Sequence, residues 1–180
     1  MKRKYVLAVD LDGVIIDKPP LIPKILIELL FKGKAKRLHY RFPRTRIEQL
    51  IRKISHIYFF RPAIKANLDL IKRAAGTEKC NVVAISSRYS FLERETHLWL
   101  KKRKLDKVFC EIHLNLKNEQ PHIFKKKVLE RIKPDIFVED DKLIVEYLKK
   151  QLPQQKVLHQ NNQACKVFDK SIGTALSLEA

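Results

Sequence analysis

The sequence predicts an α/β domain built on a mostly parallel five-stranded sheet. Five short apolar segments, each bounded by polar residues, have the length and composition of buried strands. Segments with hydrophobic residues at helical spacing separate most of them. Strands that alternate with helices usually pair in parallel through right-handed crossovers. The predicted strands are Tyr5–Asp10, Val82–Ser86, Val108–Ile112, Asp135–Glu139 and Lys156–His159.

The predicted helices follow from the spacing of apolar residues between these strands. In one of them, Leu92, Thr96 and Trp99 recur on a single face, and we expect Trp99 to pack in the core. In sheets of this kind, ligands bind beyond the carboxyl ends of the strands, so we look for a site there. The predicted helices are Ala63–Ala75, Phe91–Lys102, Ile123–Ile132 and Leu143–Leu152.

After the first predicted strand, roughly forty residues show no strand pattern. The apolar spacing instead predicts two helices, Leu21–Phe31 and Thr45–Phe60. Glu48 follows Thr45 by three residues, as in a capping box. We interpret this segment as a helical insertion. The predicted division is therefore a core of residues 1–17 and 62–180 and an insertion of residues 18–61.

The chain is strongly basic. Its 180 residues include 38 lysines and arginines but only 20 acidic residues, which gives a net charge of +18. The insertion alone has twelve lysines and arginines against two glutamates. Such a surplus favours anionic partners, namely phosphate esters, nucleic acid or an acidic membrane surface. The three cysteines lie far apart, which predicts no disulfide framework and a cytoplasmic location, and no apolar run reaches the ~20 residues of a membrane span.

Acidic and polar residues gather at the ends of the predicted strands. Asp10 and Asp12 follow the first strand beside Gly13, and the Glu139–Asp141 cluster ends the fourth. Carboxylates this close repel each other, and a divalent cation relieves the repulsion. Ser86 ends the second strand and adds a hydroxyl. A carboxylate nucleophile, a second carboxylate, a hydroxyl and metal ligands together are what phosphoryl transfer to a carboxylate requires.

The same residues also have simpler structural interpretations. The two aspartates after the first strand can form an ordinary turn. Asp140 or Asp141 can cap the helix that follows, which is a common role for aspartate. Arg88 is a candidate to bind a substrate phosphate, but pairing with Glu93 or Glu95 is an equally good interpretation. The order of the elements along the chain, rather than any one of them, favours a catalytic site.

In this order, the motifs resemble those of the haloacid dehalogenase (HAD) superfamily of phosphohydrolases. VDLDGVI is similar to its first motif, VVAIS to the second, a lysine before the fourth strand to the third, and IFVEDD to the fourth. The resemblance implies a Rossmann-like core, a squiggle and flap after the first strand, and a C1-type cap formed by the insertion. The run from Ser86 to Arg88, with FKKKVLERIKPDIFVEDD, is most similar to the 5′(3′)-deoxyribonucleotidase-like branch.

The resemblance also implies a role for each matching residue. Asp10 would be the nucleophile that forms an aspartyl-phosphate. Asp12 would be the general acid and base, and its backbone carbonyl would bind Mg²⁺ together with Asp10 and Asp140. Ser86 would hydrogen-bond a phosphoryl oxygen, and Lys125 is favoured as the catalytic lysine.

Several assignments remain open at this level. Lys117 and Lys126 compete with Lys125 as the third-motif lysine, and Asp141 either binds metal or only supports Asp140. The residues expected to contact substrate are Gly13, Ser86, Ser87 and Arg88.

Three functions are compatible with these features. The first is a Mg²⁺-dependent phosphomonoesterase acting on a small anionic substrate such as a nucleotide. The second is a nucleic-acid-binding or nucleic-acid-end phosphatase protein that uses the basic insertion. The third is a membrane-surface lipid-phosphate phosphatase, in which Leu21–Phe31 lies in the interface instead of packing on the insertion or on a partner. Aromatic residues able to stack on bases are Tyr40, Phe42, Tyr58, Phe59 and Phe60.

Overall fold

The computed structural model describes residues 3–19 and 38–160 of the chain. It contains one sheet of five parallel strands in the order β3-β2-β1-β4-β5. The predicted fold class, an α/β domain on a parallel sheet with flanking helices, is therefore confirmed. The strands are β1 (Tyr5–Val9), β2 (Cys80–Tyr89), β3 (Glu111–Asn115), β4 (Ile136–Glu139) and β5 (Val157–His159).

Five α-helices lie within the described residues. The Thr45 side chain accepts a hydrogen bond from the Glu48 backbone N–H, and Glu48 reaches back to the Thr45 N–H, so the predicted capping box is confirmed. The predicted helix Leu21–Phe31 lies outside the described residues. The helices are α1 (Arg46–Ser55), α2 (Lys65–Ala75), α3 (Glu93–Lys102, preceded by a 3₁₀ turn, Ser90–Leu92), α4 (Pro121–Ile132) and α5 (Lys142–Gln151).

The boundaries of three elements differ clearly from the prediction. Strand β2 runs from Cys80 to Tyr89 and is longer at both ends than the predicted Val82–Ser86. Strand β3 begins at Glu111, because the apolar Phe109 closes a turn onto Leu105 and packs in the core before the strand starts. Helix α1 ends at Ser55, and the chain from there to Phe60 forms consecutive turns. At β3 the apolar run precedes the strand, and at α1 it continues beyond the helix, which periodicity alone does not reveal.

The hydrophobic core fills both sides of the sheet. Leu7, Val9 and Trp99 belong to the cluster on one side, whereas Ala8 and Phe137 belong to the cluster on the other. Strand β1 is central and buried on both faces, as is usual in parallel sheets. Because β1 lies between β2 and β4, the strand order reverses at β1, and its carboxyl end opens into the crevice where such folds bind ligands.

Two expectations about the chain's chemistry concern thiols and membranes. Cys80 is buried and Cys110 is exposed, and both are free; Cys165 lies outside the described residues. Within residues 3–19 and 38–160, no helix combines the length and the apolar character needed to cross a membrane.

Candidate active site

Asp10 lies at the centre of the crevice at the carboxyl end of β1. Its backbone N–H donates to the Val138 carbonyl at 2.9 Å, which continues the pairing of β1 with β4 by one residue. Its side chain is only 6% exposed. The Nζ atom of Lys125, on α4, lies 3.1 Å from Asp10 Oδ2 and 2.5 Å from Glu139 Oε2. One buried ammonium therefore joins the carboxylates that end the two neighbouring strands.

The charge balance of this group explains the pKa values of its members. Burial raises the pKa of Asp10, an effect that Lys125 opposes and Glu139 reinforces. Burial also raises the pKa of Glu139, again against the charge of Lys125. Burial lowers the pKa of Lys125, but the charges of Asp10 and Glu139 raise it by more than burial lowers it. The pKa of Lys125 is therefore above its usual value, and the ammonium stays protonated. Lys125 thus offsets part of the cost of burying the ionised carboxylates of Asp10 and Glu139, whose pKa values nevertheless stay above the usual range.

A third carboxylate completes a candidate metal site. Asp10, Glu139 and Asp140 each offer an oxygen, and these oxygens all lie within 4.8 Å of one another. Burial and the charge of Asp10 raise the pKa of Asp140 to about 7. When ionised, the three carboxylates outnumber the one buried ammonium, and Lys18 opposes the rise in the pKa of Asp140 only weakly. An oxygen-only ligand set of this kind suits Mg²⁺. The residues present therefore fit the expected metal.

The three candidate metal ligands overlap only in part with the ligands expected from the sequence. Asp10 and Asp140 come together as expected. Glu139, which the sequence placed in the acidic cluster without a role, contributes a buried oxygen. Asp12 does not contribute its carboxylate to this cluster, because that carboxylate binds two arginines.

Gly13 lies in the tight turn that follows β1, where the resemblance places the squiggle and flap. Its N–H donates to the Ile16 carbonyl at 2.8 Å, and its φ is +77°, a conformation that residues with a Cβ rarely adopt. A Cβ added here would lie 1.9 Å from Asp140 Oδ2. Gly13 is therefore needed for the carboxylate of Asp140 to approach the turn.

We expect Gly13→Ala to displace Asp140 and weaken Mg²⁺ binding. The variant adds both a clash with Asp140 and backbone strain of about 1–3 kcal/mol. Calorimetric Mg²⁺ titration and thermal unfolding measure the two effects. The matched control is Gly76→Ala, since Gly76 has φ −72° and its added Cβ would lie no closer than 3.3 Å to any neighbour. Equal Mg²⁺ affinities for the two variants would contradict this role of Gly13.

Asp12 is held by two arginines from different parts of the chain. Arg88, near the end of β2, donates from Nε to Oδ2 at 2.6 Å and from Nη2 to Oδ1 at 2.7 Å. Arg61, which precedes α2, donates from Nη2 to Oδ1. Burial raises the pKa of Asp12, but Arg88 and Arg61 outweigh it and hold that pKa well below its usual range. Arg88 therefore pairs with Asp12 rather than with Glu93 or Glu95.

Arg61 and His56 belong to the site although the sequence analysis did not select them. Both lie in the segment that returns from the insertion to the core. Burial, followed by the charges of Arg88 and Arg61, lowers the pKa of His56 to about 3, so this histidine is neutral at physiological pH. Neither residue is part of a motif. The path of the chain back to the core places Arg61 in contact with Asp12, and it places His56 close enough to Asp12 to interact electrostatically.

The two serines of β2 occupy different environments. Ser86 is fully buried, and its Oγ lies 3.4 Å from the backbone N of Arg88. The register with β3 shifts between Ser86 and Tyr89, so the strand departs from regular pairing at this point. Ser87 is partly buried, and its carbonyl accepts from Asn115 Nδ2 at 3.5 Å.

The structure places the three residues whose roles the sequence left open. Lys126 pairs on the surface with Glu130 at 3.5 Å, and Lys117 is exposed, so Lys125 is the candidate lysine that reaches Asp10. Asp141 accepts from the Leu143 backbone N–H at 3.0 Å and caps α5.

Asp141 also anchors part of the insertion. Its Oδ2 accepts from the Tyr40 hydroxyl at 2.6 Å. The backbone of Tyr40 exchanges hydrogen bonds with the Gln120 side chain, at 2.9 Å for the N–H and 3.2 Å for the carbonyl. Asp141 therefore supports the local structure beside Asp140.

Comparison with known proteins identifies relatives by structure rather than by sequence. No protein-family model matches the chain, and no curated protein sequence does. A HAD family enzyme from Bacteroides thetaiotaomicron, determined with magnesium and inorganic phosphate, aligns at a TM-score of 0.55 and 15% identity, over 88% of this chain and 94% of that one. An inactive mutant of the HAD domain of the effector protein Lem4 from Legionella pneumophila aligns at 0.54 and 13% identity, over 98% and 96%.

A third similar structure belongs to an RNA repair assembly. A chain of the Pnkp1/Rnl/Hen1 RNA repair complex aligns at a TM-score of 0.55 and 15% identity, over 88% of this chain. This chain spans only 42% of that protein, whereas it spans nearly all of the two HAD structures. At such identities the common property is the fold, and the Rossmann-like core expected from the HAD resemblance is confirmed.

Proposed function

We propose that this chain is a Mg²⁺-dependent phosphomonoesterase of the HAD superfamily that acts on a small anionic phosphate ester such as a nucleotide. The observation that carries the proposal is the buried carboxylate of Asp10. It ends the central strand, pairs with Lys125 at 3.1 Å and shares a possible metal site with Glu139 and Asp140. The structural similarity to a HAD enzyme with bound magnesium and phosphate supports this assignment.

In the proposed reaction, Asp10 acts as the nucleophile. An oxygen of Asp10 bonds to phosphorus while the bond from phosphorus to the ester oxygen breaks, and the alcohol leaves with a proton. Water then attacks the aspartyl-phosphate, releasing phosphate and restoring Asp10. Lys125 orients the Asp10 carboxylate through their ion pair. Mg²⁺ at Asp10, Glu139 and Asp140 would neutralise negative charge on the carboxylates and on the phosphoryl oxygens.

In this proposal, Asp12 gives the proton to the leaving alcohol and then takes one from the attacking water. Its carboxylate is 34% exposed and borders the turn beside Asp10. Arg88 and Arg61 favour its ionised form, which suits activation of water. Protonation of the leaving group requires that this hold on Asp12 weaken when substrate binds, because an acid with so low a pKa is rarely protonated.

We expect Asp12→Asn to lower the turnover of alkyl phosphates by about 10²–10⁴-fold, the usual contribution of general acid–base catalysis. The loss should be smaller for p-nitrophenyl phosphate, whose leaving group scarcely needs a proton. Steady-state kinetics on both ester classes, with circular dichroism as a check of folding, measure the difference. Equal losses for good and poor leaving groups would contradict an acid–base role.

We further propose that residues 18–61 form a C1-type cap over the crevice. The part of this segment that the structure describes returns Arg61 to Asp12 and fastens Tyr40 to Asp141. Helix α1 has an exposed apolar face. The segment Leu21–Phe31 of the same insertion is largely apolar, so its composition suits packing against such a face. That face consists of Ile47, Leu50, Ile51 and Ile54, which are 48–72% exposed.

A second candidate function is a nucleic-acid-end phosphatase. Tyr58, Phe59 and Phe60 are 41%, 76% and 39% exposed and directly precede Arg61, whereas Tyr40 and Phe42 are engaged with the core. Exposed aromatic rings next to cationic groups are typical of surfaces that bind single-stranded nucleic acid. The net charge of +18 and the structural similarity to an RNA repair protein support this alternative.

The proposed function is tested by a phosphatase screen with Mg²⁺ and EDTA arms. The substrates are nucleotides, sugar phosphates, lipid phosphates and oligonucleotides with 5′- or 3′-terminal phosphates, which also separates the three functions that the sequence allows. We expect turnover that requires Mg²⁺ and that Asp140→Asn removes. Oligonucleotide binding that survives Asp140→Asn, without turnover of any substrate, would contradict the enzymatic proposal and favour a nucleic-acid-binding protein.

A further inference from the structure

The two arginines that hold Asp12 carry more positive charge than Asp12 neutralises. The side chains of Arg61 and Arg88 are 9% and 4% exposed, and the 34% exposed carboxylate of Asp12 is the acidic group to which both donate. Guanidinium groups remain protonated at any pH at which proteins are folded, so Arg61, Arg88 and Asp12 together carry a net charge of about +1. Asp17 also acts on Arg61 electrostatically, more weakly than Asp12 does. Burial is the main cause of the lowered pKa of the neighbouring His56, and the charges of Arg88 and Arg61 lower it further.

Arg61 also has hydrogen-bonding capacity that nothing in the described part of the chain uses. Its buried Nε has no hydrogen-bond partner among the described residues. Arg88, by contrast, donates Nε and Nη2 to Asp12 and Nη1 to Thr96 Oγ1 at 3.1 Å. A buried donor without a partner costs about 1–3 kcal/mol and calls for a reason. Nη2 of the same guanidinium reaches the partly exposed carboxylate of Asp12, so this side chain borders the crevice.

Both arginines are held in place by the core. The indole N–H of Trp99 donates to the Arg61 backbone carbonyl at 2.8 Å. Thr96, which accepts from Arg88, donates its own hydroxyl to the Leu92 carbonyl at 2.8 Å. Fixed, buried guanidinium groups are well suited to bind an oxyanion, since little side-chain entropy remains to be lost.

We propose that Arg61 and Arg88 form a second anion-binding site that takes a phosphate group of the substrate other than the one transferred to Asp10. The incoming phosphate competes with the Asp12 carboxylate for the two guanidinium groups. Because Asp12 is more exposed than either arginine, its carboxylate is the group that the phosphate displaces. This inference rests on the proposed function and specifies its substrate class, a phosphomonoester with a further phosphate. The further phosphate belongs either to a nucleoside bisphosphate or to the backbone of an end-phosphorylated oligonucleotide.

The test is calorimetric binding in an Asp10→Asn background, so that no turnover is needed. The probes with two phosphates are thymidine 3′,5′-bisphosphate and 5′-phosphorylated dithymidylate, and the probe with one is thymidine 5′-monophosphate. We expect Arg61→Gln to weaken binding of at least one two-phosphate probe by about 10–100-fold, the ordinary value of a hydrogen bond to a charged group, and to change binding of the monophosphate less than about threefold. The probe that is affected identifies the source of the phosphate.

Arg46→Gln is the matched control, because it removes the same charge from an exposed position of the same segment. Arg61→Lys should recover only part of the affinity, since an ammonium cannot donate as a fork. Thermal unfolding of each variant shows whether it folds. If Arg61→Gln does not fold, Arg61→Lys is compared with Arg46→Gln instead. Equal weakening of one- and two-phosphate probes, or equal effects of Arg61→Gln and Arg46→Gln, overturns the second site and leaves the phosphatase proposal standing. Loss of the phosphatase itself appears separately, in the Mg²⁺-dependent turnover assay.

Discussion

Asp10→Asn is expected to abolish turnover, by roughly 10⁴-fold or more, because an amide cannot form the acyl-phosphate. The fold should survive the change. Burial and Glu139 raise the pKa of Asp10, so its ionised form costs folding free energy at neutral pH. The neutral amide avoids that cost and forfeits the ion pair with Lys125. We therefore expect the free energy of unfolding to hold or rise, as measured by urea denaturation without Mg²⁺.

The matched control is Asp106→Asn, which neutralises an exposed carboxylate after α3. It should leave turnover and stability unchanged within error. Mass spectrometry of acid-quenched wild-type protein should detect a phosphorylated species that Asp10→Asn lacks. An Asp10→Asn protein that keeps near-wild-type activity, or a phosphorylated species that persists in it, would contradict the nucleophile assignment.

The fold could be predicted because its local signals agree with its topology. Each buried strand is a short apolar run, and the Thr45–Glu48 capping box marks the start of α1. The errors fall where an apolar run continues outside a regular element, as at Val108 and Phe109 before β3. Such residues are buried by tertiary packing in a turn, and a pattern of hydrophobicity does not distinguish that burial from a strand.

The candidate site could be predicted from strand ends for its carboxylates, and from the HAD resemblance for Lys125, which lies on α4. Asp10 and Asp140 come directly after β1 and β4, so the sheet itself brings them together. Arg61 and His56 lie outside strands and reach Asp12 through the path of the chain back from the insertion, which no local pattern encodes. The role of Asp12 is implied by the HAD resemblance alone, and its two arginine partners are visible only in three dimensions.

Lys125→Met is expected to be the most destabilising of these changes. Lys125 is 1% exposed and lies between Asp10 at 3.1 Å and Glu139 at 2.5 Å. Methionine has a similar volume, so the variant removes the charge and leaves little cavity. Breaking a buried ion pair from one side typically costs about 3–5 kcal/mol, because the remaining charge is buried without a partner. Here two carboxylates lose the same partner, and turnover should fall as Asp10 loses its fixed orientation.

The neighbouring Lys126→Met is the control, since Lys126 makes only a surface pair with Glu130 at 3.5 Å, which is expected to stabilise the fold by about 0–1 kcal/mol.

The loss of stability in Lys125→Met should also depend on Mg²⁺ and on pH. Without Lys125, the raised pKa values of Asp10 and Glu139 rise further, so stability should increase as the pH falls from neutral toward the ordinary pKa of a carboxyl group and the two groups take up protons. Added Mg²⁺ should raise the melting temperature of Lys125→Met more than that of the wild type, because it would neutralise the same carboxylates. If Lys125→Met and Lys126→Met melt together, and Mg²⁺ shifts both equally, then Lys125 does not hold the charge balance of this site.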